Sequence, residues 1–345
     1  MNNEQIILCD EVIMKKEYFA YISKIDNLYD EIRKSLEFIQ YSKYIKNDST
    51  IFIKPNFTFP FYKEGITTNP LVLQHLLGLL KDKVDRVIVG ESDGGNRSFT
   101  ANQAFKGHGM HEICKEAGAE LVNLSTIPAE TVKGTIQGKS VSVQLPKMLL
   151  HDIDCLISVP VLKVHVMTTV TLSMKNLWGC YPDTMRCLHH KYLSRKLTLI
   201  TKSLNPKLIL IDGTFALDGH GPMYGTAIKT NLILSANNPV VADALGSAVM
   251  GIPLSKVEHI LFAEKEGLGI SDLSKVTIND DWKQYVRKFE VNKTVIDTLS
   301  WILFNSETCA KCVMDSPMTP LIYKVGTKLR NKDEQKVSDQ ITREK

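Results

Sequence analysis

Ile51-Phe52-Ile53-Lys54-Pro55-Asn56 decides how the rest of this 345-residue chain is read. An unbroken apolar run is followed at once by a lysine, a proline and an amide. Half-exposed strands alternate apolar and polar residues, whereas strands covered on both faces are continuously apolar, as in parallel sheets. The pattern returns at Arg86-Val87-Ile88-Val89-Gly90, Glu120-Leu121-Val122-Asn123-Leu124, Ile153 to Val159, Lys207 to Ile211 and Asn231 to Ser235. Helical patterns fall between many of these runs, at about 25–46, 70–83, 110–118, 188–204, 239–250 and 256–264. Pro70 and Pro239 follow Asn69 and Asn238, an asparagine cap with proline in the first helical position. Strands alternating with helices predict an α/β fold. We expect a mainly parallel, doubly wound sheet flanked by helices, as one body or as two lobes with a cleft between them. From about residue 280 the pattern weakens. An α/β domain is placed at 1–275 and a charged, helical extension at 276–345, whose last stretch, 321–345, reads as a solvated, frayed tail.

Composition narrows the function classes. With 43% hydrophobic residues the chain is not a disordered one. Its 42 Lys and Arg against 38 Asp and Glu leave a formal charge of +4, too little for a protein held to nucleic acid by phosphate neutralisation. No uncharged apolar run of about 18 residues is present, so no membrane span is expected. Met1-Asn2-Asn3-Glu4-Gln5 lacks the basic and apolar regions of a signal peptide. Seven cysteines fit reduced thiols better than a disulfide framework. A cytoplasmic protein is expected, and a homodimer is compatible with it.

In an open parallel sheet, ligands bind beyond the carboxyl ends of the strands. The residues that follow the apolar runs are Lys54, Pro55 and Asn56; Glu91, Ser92, Asp93, Gly94 and Gly95; Pro160, Lys163 and His165; Asp212 and Gly213; and Asn237 and Asn238. Parallel neighbouring strands would gather all five sets on one rim. Lys54 and Asn56 lie two apart, as do Lys163 and His165, so in extended chain each pair points to one side. Lysine is a point charge for anions, and two cations with an amide and an imidazole suit a carboxylate or phosphate. The plain alternative is that both lysines sit at strand ends and reach solvent.

Asp93, Asp212 and Glu91 offer oxygen ligands at strand ends, which would suit Mg²⁺ or a similar divalent cation bridging to an anionic substrate. The plain alternative is that Asp212 serves the Asp212-Gly213 turn. In the run Thr168 to Gly179, Lys175 is either an acid–base group or a cation at a helix end, and Gly179 would end that helix in a left-handed conformation. Arg186 and His189, three apart, share a face if their segment is helical, and a surface pair is the plain alternative. Gly219-His220-Gly221-Pro222-Met223-Tyr224-Gly225 is one residue too long for G-x-G-x-x-G and does not open a helix. It is therefore no dinucleotide motif, although Gly221 permits close backbone approach to a ligand. No P-loop is present. Cys309-x-x-Cys312 has no second pair to complete a metal or cluster site.

These motifs, taken in order, resemble one family. Lys54-Pro55-Asn56 with Thr67-Thr68-Asn69-Pro70 is similar to the opening signature of the domain-of-unknown-function 362 family. Glu91-Ser92-Asp93, Val159 to His165, Met174-Lys175-Asn176-Leu177 with Gly179, Arg186, and His189 resemble its middle blocks. Ile211-Asp212-Gly213, Gly219 to Pro222, Gly225 and Asn238 to Asp243 resemble its last ones. Coverage runs from about Ile51 to Gly269. The resemblance implies a cytoplasmic bacterial or archaeal α/β protein, many of whose relatives carry ferredoxin-type iron–sulfur segments. This chain lacks that cysteine-rich segment, so no cluster is expected from this chain alone.

The leading expectation is an enzyme that binds a small phosphorylated or carboxylated metabolite at the strand-end rim. Lys163, His165 and Lys175 would carry the chemistry, with Lys54, Asn56, Asn176, Arg186, His189 and Gly221 around the substrate. Two alternatives stay open: a redox protein working with an iron–sulfur partner, and a non-catalytic anion-binding module.

Overall fold

The computed structural model describes residues 17–293. Twelve strands are defined there: β1 (Phe19–Lys24), β2 (Thr50–Pro55), β3 (Arg86–Glu91), β4 (Glu120–Asn123), β5 (Ala129–Ile136), β6 (Lys139–Pro146), β7 (Cys155–Val159), β8 (Val161–His165), β9 (Thr169–Val170), β10 (Leu208–Asp218), β11 (Thr226–Ala236) and β12 (Thr277–Ile278). The helices are α1 (Leu28–Phe38), α2 (Pro70–Leu80), α3 (Ala101–Gly107), α4 (Met110–Ala117), α5 (Lys147–His151), α6 (Leu172–Asn176), α7 (Leu193–Leu204), α8 (Pro239–Val249) and α9 (Glu258–Lys265).

Ten strands form one sheet, in the order β12-β1-β11-β10-β7-β2-β3-β4, with β8 beside β10 and β9 beside β8. The neighbours β10, β7, β2, β3 and β4 are parallel. The remaining two strands, β5 and β6, make a separate antiparallel hairpin. The protein is thus α/β, with a large mixed, mostly parallel sheet between helices.

Continuous apolar runs arise because both faces are covered. Ile51 and Ile53 of β2 and Val87 and Val89 of β3 pack with α1, α2 and α4 on one face. Phe52 and Ile88, between them in sequence, pack with α7 and the β5–β6 hairpin on the other. On that second face, Ile209, Ile211, Leu232 and Leu234 of β10 and β11 pack against α6, α8 and α9. Both asparagine caps are formed. The Asn69 side chain accepts from Leu71 N at 3.0 Å, and that of Asn238 accepts from Val240 N and Val241 N at 3.0 and 3.2 Å, each with proline following.

One expectation about direction fails. β11 runs antiparallel to β10, so Asn237 and Asn238 at its end lie away from the rim where β2, β3 and β7 finish. An apolar run fixes burial and carries no sign for chain direction. Asn237 instead accepts a hydrogen bond from Phe19 N (3.0 Å) at the start of β1.

A break in the sheet makes room for a site. β7 pairs with β2 up to Pro55 and Val159. Beyond Pro160 the chain continues as β8, which follows the second half of β10 rather than β2. A crevice therefore opens between the end of β2 and β8, at the carboxyl ends of parallel strands.

Candidate functional site

The crevice holds a cavity of about 210 Å³. Its walls include Lys54 and Asn56 from the end of β2, Glu91 and Ser92 from the end of β3, and Lys163 and His165 from β8. Lys175 and Asn176 come from α6, and Arg186 from a short 3-10 turn, Arg186–His189. Each spaced pair delivers both of its side chains to this space, as the two-residue period of extended chain requires. Lys54 and Lys163 are fully buried, so neither reaches solvent.

Hydrogen bonds fix most of these groups. Lys54 Nζ donates to Glu91 Oε2 at 2.6 Å and to the Pro55 carbonyl at 2.6 Å. Glu91 also accepts from Phe57 N (3.1 Å) and Ser92 N (3.0 Å). Lys163 Nζ donates to Asn56 Oδ1 (3.0 Å) and to the Ile66 carbonyl (2.6 Å). Asn176 Nδ2 donates to the Lys54 carbonyl (3.0 Å) and Ser158 Oγ (3.2 Å), tying α6 to β2 and β7. Arg186 spreads its guanidinium over Ser92 Oγ (2.7 Å), the Tyr181 carbonyl (2.8 Å) and the Asp93 carbonyl. Arg186 is buried and His189 is not in the cavity, so the two do not form a surface pair. His189 Nε2 lies 2.8 Å from Asp183 Oδ2 on the outside.

Lys175 differs from the other three cavity cations. Among the described residues it has no hydrogen-bond or ion-pair partner. Burial pushes its pKa down to about 7, helped by the positive charge of Arg186. Burial also lowers Lys163 well below the usual lysine range, with the charges of Lys175 and Lys54 adding to the effect. His165 is held neutral by burial and by the neighbouring cations. Its Nδ1 accepts from Met167 N at 3.0 Å, so the ring proton sits on Nε2 and that nitrogen is a donor. His190, next to the expected His189, lines the cavity instead, and burial pushes it down to about 3.

The three carboxylates considered as metal ligands are not brought together. Asp212 Oδ1 accepts from Thr214 N (2.9 Å) and Thr214 Oγ1 (2.7 Å), and its Oδ2 from Asn69 N (2.7 Å). It thus serves the turn after Gly213 and the start of α2, outside the cavity. Asp93 Oδ1 accepts from Ala101 N (2.8 Å) and Asn123 Nδ2 (2.9 Å). Only Glu91 reaches the cavity, already paired with Lys54. Among the described residues no three His, Cys, Asp or Glu side chains are grouped to hold a metal ion. The donor set does not fit a divalent cation held by these carboxylates. Cys309 and Cys312 lie outside the described residues.

Two glycines act through space rather than through turns. Gly179 does not take a left-handed conformation. A Cβ there would stand 2.6 Å from Glu91 Oε1 and 2.9 Å from Lys54 Nζ, so Gly179 lets the backbone pass over the ion pair. Gly221 is not a cavity wall. A Cβ on it would collide with the Val164 carbonyl, and the next residue, Pro222, is the one that lines the cavity. Thr171, Trp178 and His190 also line the wall, and the sequence singles out none of them individually for a site.

No helix of the described residues is long and apolar enough to cross a membrane. The chain is 27% identical over 124 residues to "Thylakoid-associated protein sll1697" of Synechocystis sp., a stretch that spans 34% of this chain and 39% of that protein. It therefore spans well under half the length of this curated relative. A solved structure of a protein from Thermotoga maritima overlaps 53% of this chain and 49% of its own, at 9% identity and a TM-score of 0.34. The Lys54, Glu91, Lys163, Lys175 and Arg186 cavity lies wholly inside the region that carries the family signature, residues 51–248, and by that match the chain belongs to the domain of unknown function 362 family (DUF362).

Proposed function

We propose that the cavity binds a small metabolite carrying a carboxylate or phosphate, and that the protein is an enzyme acting on it. The observation that carries this reading is the charge of the wall. Lys54, Lys163, Lys175 and Arg186 line it, against a single carboxylate among the described residues, that of Glu91. Glu91 is already neutralised by Lys54, which leaves Lys163, Lys175 and Arg186 with no carboxylate partner among the described residues. Such an excess is costly unless an anion offsets it.

Size supports a small ligand. A space of about 210 Å³ suits a short carboxylic acid or phosphate ester. Arg186, pre-oriented by Ser92 and two carbonyls, and Lys163, held by Asn56, would receive the anionic group. His165 would donate from Nε2 to an oxygen of the substrate. Lys175, with an amine that exchanges its proton near neutrality, would move the proton. An unpartnered amine of this kind favours an enzyme over a module that only captures an anion.

The test is thermal unfolding of the protein with sulfate, phosphate, citrate or glycerol. The three anions should raise the midpoint at millimolar concentration and glycerol at the same concentration should not. An equal response to all four, or none, would overturn the reading.

A further inference from the structure

Lys175 is the one cavity cation that nothing in the described chain holds, and a lysine in that state has a use beyond charge. Lys54, Lys163 and Arg186 are each committed to two or more acceptors and are built to stay where they are. The Lys175 amine is directed into the same space with no acceptor, on a helix whose next residue, Asn176, anchors it to β2 and β7. Around it stand a donor N–H on His165 Nε2 and the buried hydroxyl of Thr171, which also has no hydrogen-bond partner among the described residues.

We infer that Lys175 is the nucleophile that forms an imine with the carbonyl carbon of a small anionic oxo compound, an oxo acid or a phosphorylated ketone or aldehyde. The inference rests on the anion-binding reading above. Lys163 and Arg186 would hold the carboxylate or phosphate, which places the carbonyl of a short molecule against Lys175. The His165 Nε2–H would hydrogen-bond the carbonyl oxygen and polarise it. The nitrogen lone pair of neutral Lys175 then attacks the carbonyl carbon, and the carbonyl π electrons pass to oxygen. That oxygen takes a proton released by the nitrogen, giving a carbinolamine. Loss of the hydroxyl with the second nitrogen proton yields the imine and one water, with no net oxidation or reduction.

A neutral amine is required for attack. The lowered pKa of Lys175, to about 7, leaves about half of it neutral at pH 7, whereas surface lysines are almost fully protonated there. Desolvation and a neighbouring cation are the established means of activating a lysine in this way. The charged and titratable groups facing Lys175 are Arg186, Lys163, His165, His190 and His259. All of them are either cationic or kept neutral by burial, so none restores its proton.

The experiment incubates the full chain with pyruvate, acetoacetate or dihydroxyacetone phosphate at pH 7 and then adds borohydride, which delivers hydride to an imine carbon and makes the bond permanent. Peptide mapping by mass spectrometry of the wild-type protein should place the reduced adduct on Lys175, with other lysines at background. Lys175→Arg should abolish it while keeping stabilisation by phosphate. An adduct spread evenly over surface lysines, or none despite stabilisation by phosphate, would overturn the imine and leave the anion site standing. Failure of phosphate to stabilise the wild-type protein would instead remove the anion-binding reading. The wild-type map decides the question even if the variant does not fold.

Discussion

Lys54 Nζ and Glu91 Oε2 stand 2.6 Å apart at the ends of adjacent parallel strands, both shut away from solvent, with Gly179 laid over them. This pair sets the floor of the cavity. On the proposed reading it also keeps Glu91, the one cavity carboxylate among the described residues, from competing with an incoming anion.

Breaking the pair from one side leaves a buried, uncompensated charge. Glu91→Ala should destabilise the protein by about 3–5 kcal/mol, the usual cost of removing one partner from a buried ion pair. The loss includes the acceptor for Phe57 N and Ser92 N. Urea unfolding measures it, and a loss under 1 kcal/mol would mean that Lys54 has another way to be neutralised.

Gly179→Ala places a methyl within 3 Å of both charged groups. The backbone conformation itself accepts alanine, so any effect comes from crowding. Overpacking of this kind costs about 1–3 kcal/mol, and the displaced pair should weaken anion binding as well. Calorimetric titration with sulfate, alongside the unfolding midpoint, separates the two effects.

Asp243 holds the start of α6. Its carboxylate accepts from Ser173 Oγ (2.5 Å), Ser173 N (2.7 Å) and Met174 N (3.0 Å), with His259 Nε2 at 4.0 Å. Burial pushes its pKa up to about 7, against hydrogen bonds that pull it down. A carboxyl raised in the folded state is more favourably protonated there than in the unfolded chain. Its contribution is therefore fully present below pH 4 and is lost as pH rises through 7. The unfolding midpoint of wild type, relative to Asp243→Asn, should fall between pH 4 and 7 and be level above. A constant difference across that range would contradict the assignment.

Binding of sulfate, whose charge is constant from pH 5 to 9, should report on Lys175. An anion favours the ammonium form, so affinity should be level below pH 7 and weaken by up to about tenfold per unit above it. Lys175→Arg should flatten that upper limb, because arginine stays charged throughout. An unchanged slope in the variant would assign the titration to another group.

Much of this was legible in the sequence, and the failures have physical causes. Unbroken apolar runs identify doubly covered strands, and Asn-Pro pairs identify two helix starts, because burial and capping are local requirements. The pairs at Lys54 and Asn56, and at Lys163 and His165, point into one space because extended chain alternates by necessity. Direction is not encoded in such a run, which is why the reversal of β11 and the removal of Asn237 and Asn238 from the rim were not foreseen. Pro160, where the chain leaves β2 and continues as β8 along β10, looks like any strand-end proline, although the crevice opens there. A reading by unbroken apolar runs passes over the β5–β6 hairpin, because Val141, Val143 and Leu145 alternate with exposed Ser140, Ser142 and Gln144, although Gln137 and Gly138 both take the positive φ that a tight hairpin turn demands. Asp212 is a capping group rather than a cavity group, and a lone Asp-Gly cannot distinguish the two. Gly179 is required for the space it leaves free, which no local pattern announces.

On the proposed reading, Lys163, buried and without a carboxylate partner among the described residues, receives the anion. Burial makes its charge a liability in the free protein. Replacing it with methionine should therefore leave the unfolding midpoint at pH 7 equal or higher, as when other buried charges are exchanged for apolar groups of similar size. The same Lys163→Met protein, titrated calorimetrically with sulfate beside wild type, should bind at least about tenfold more weakly, the equivalent of roughly 1.4 kcal/mol. A folded Lys163→Met protein that binds sulfate as tightly as wild type would contradict the account.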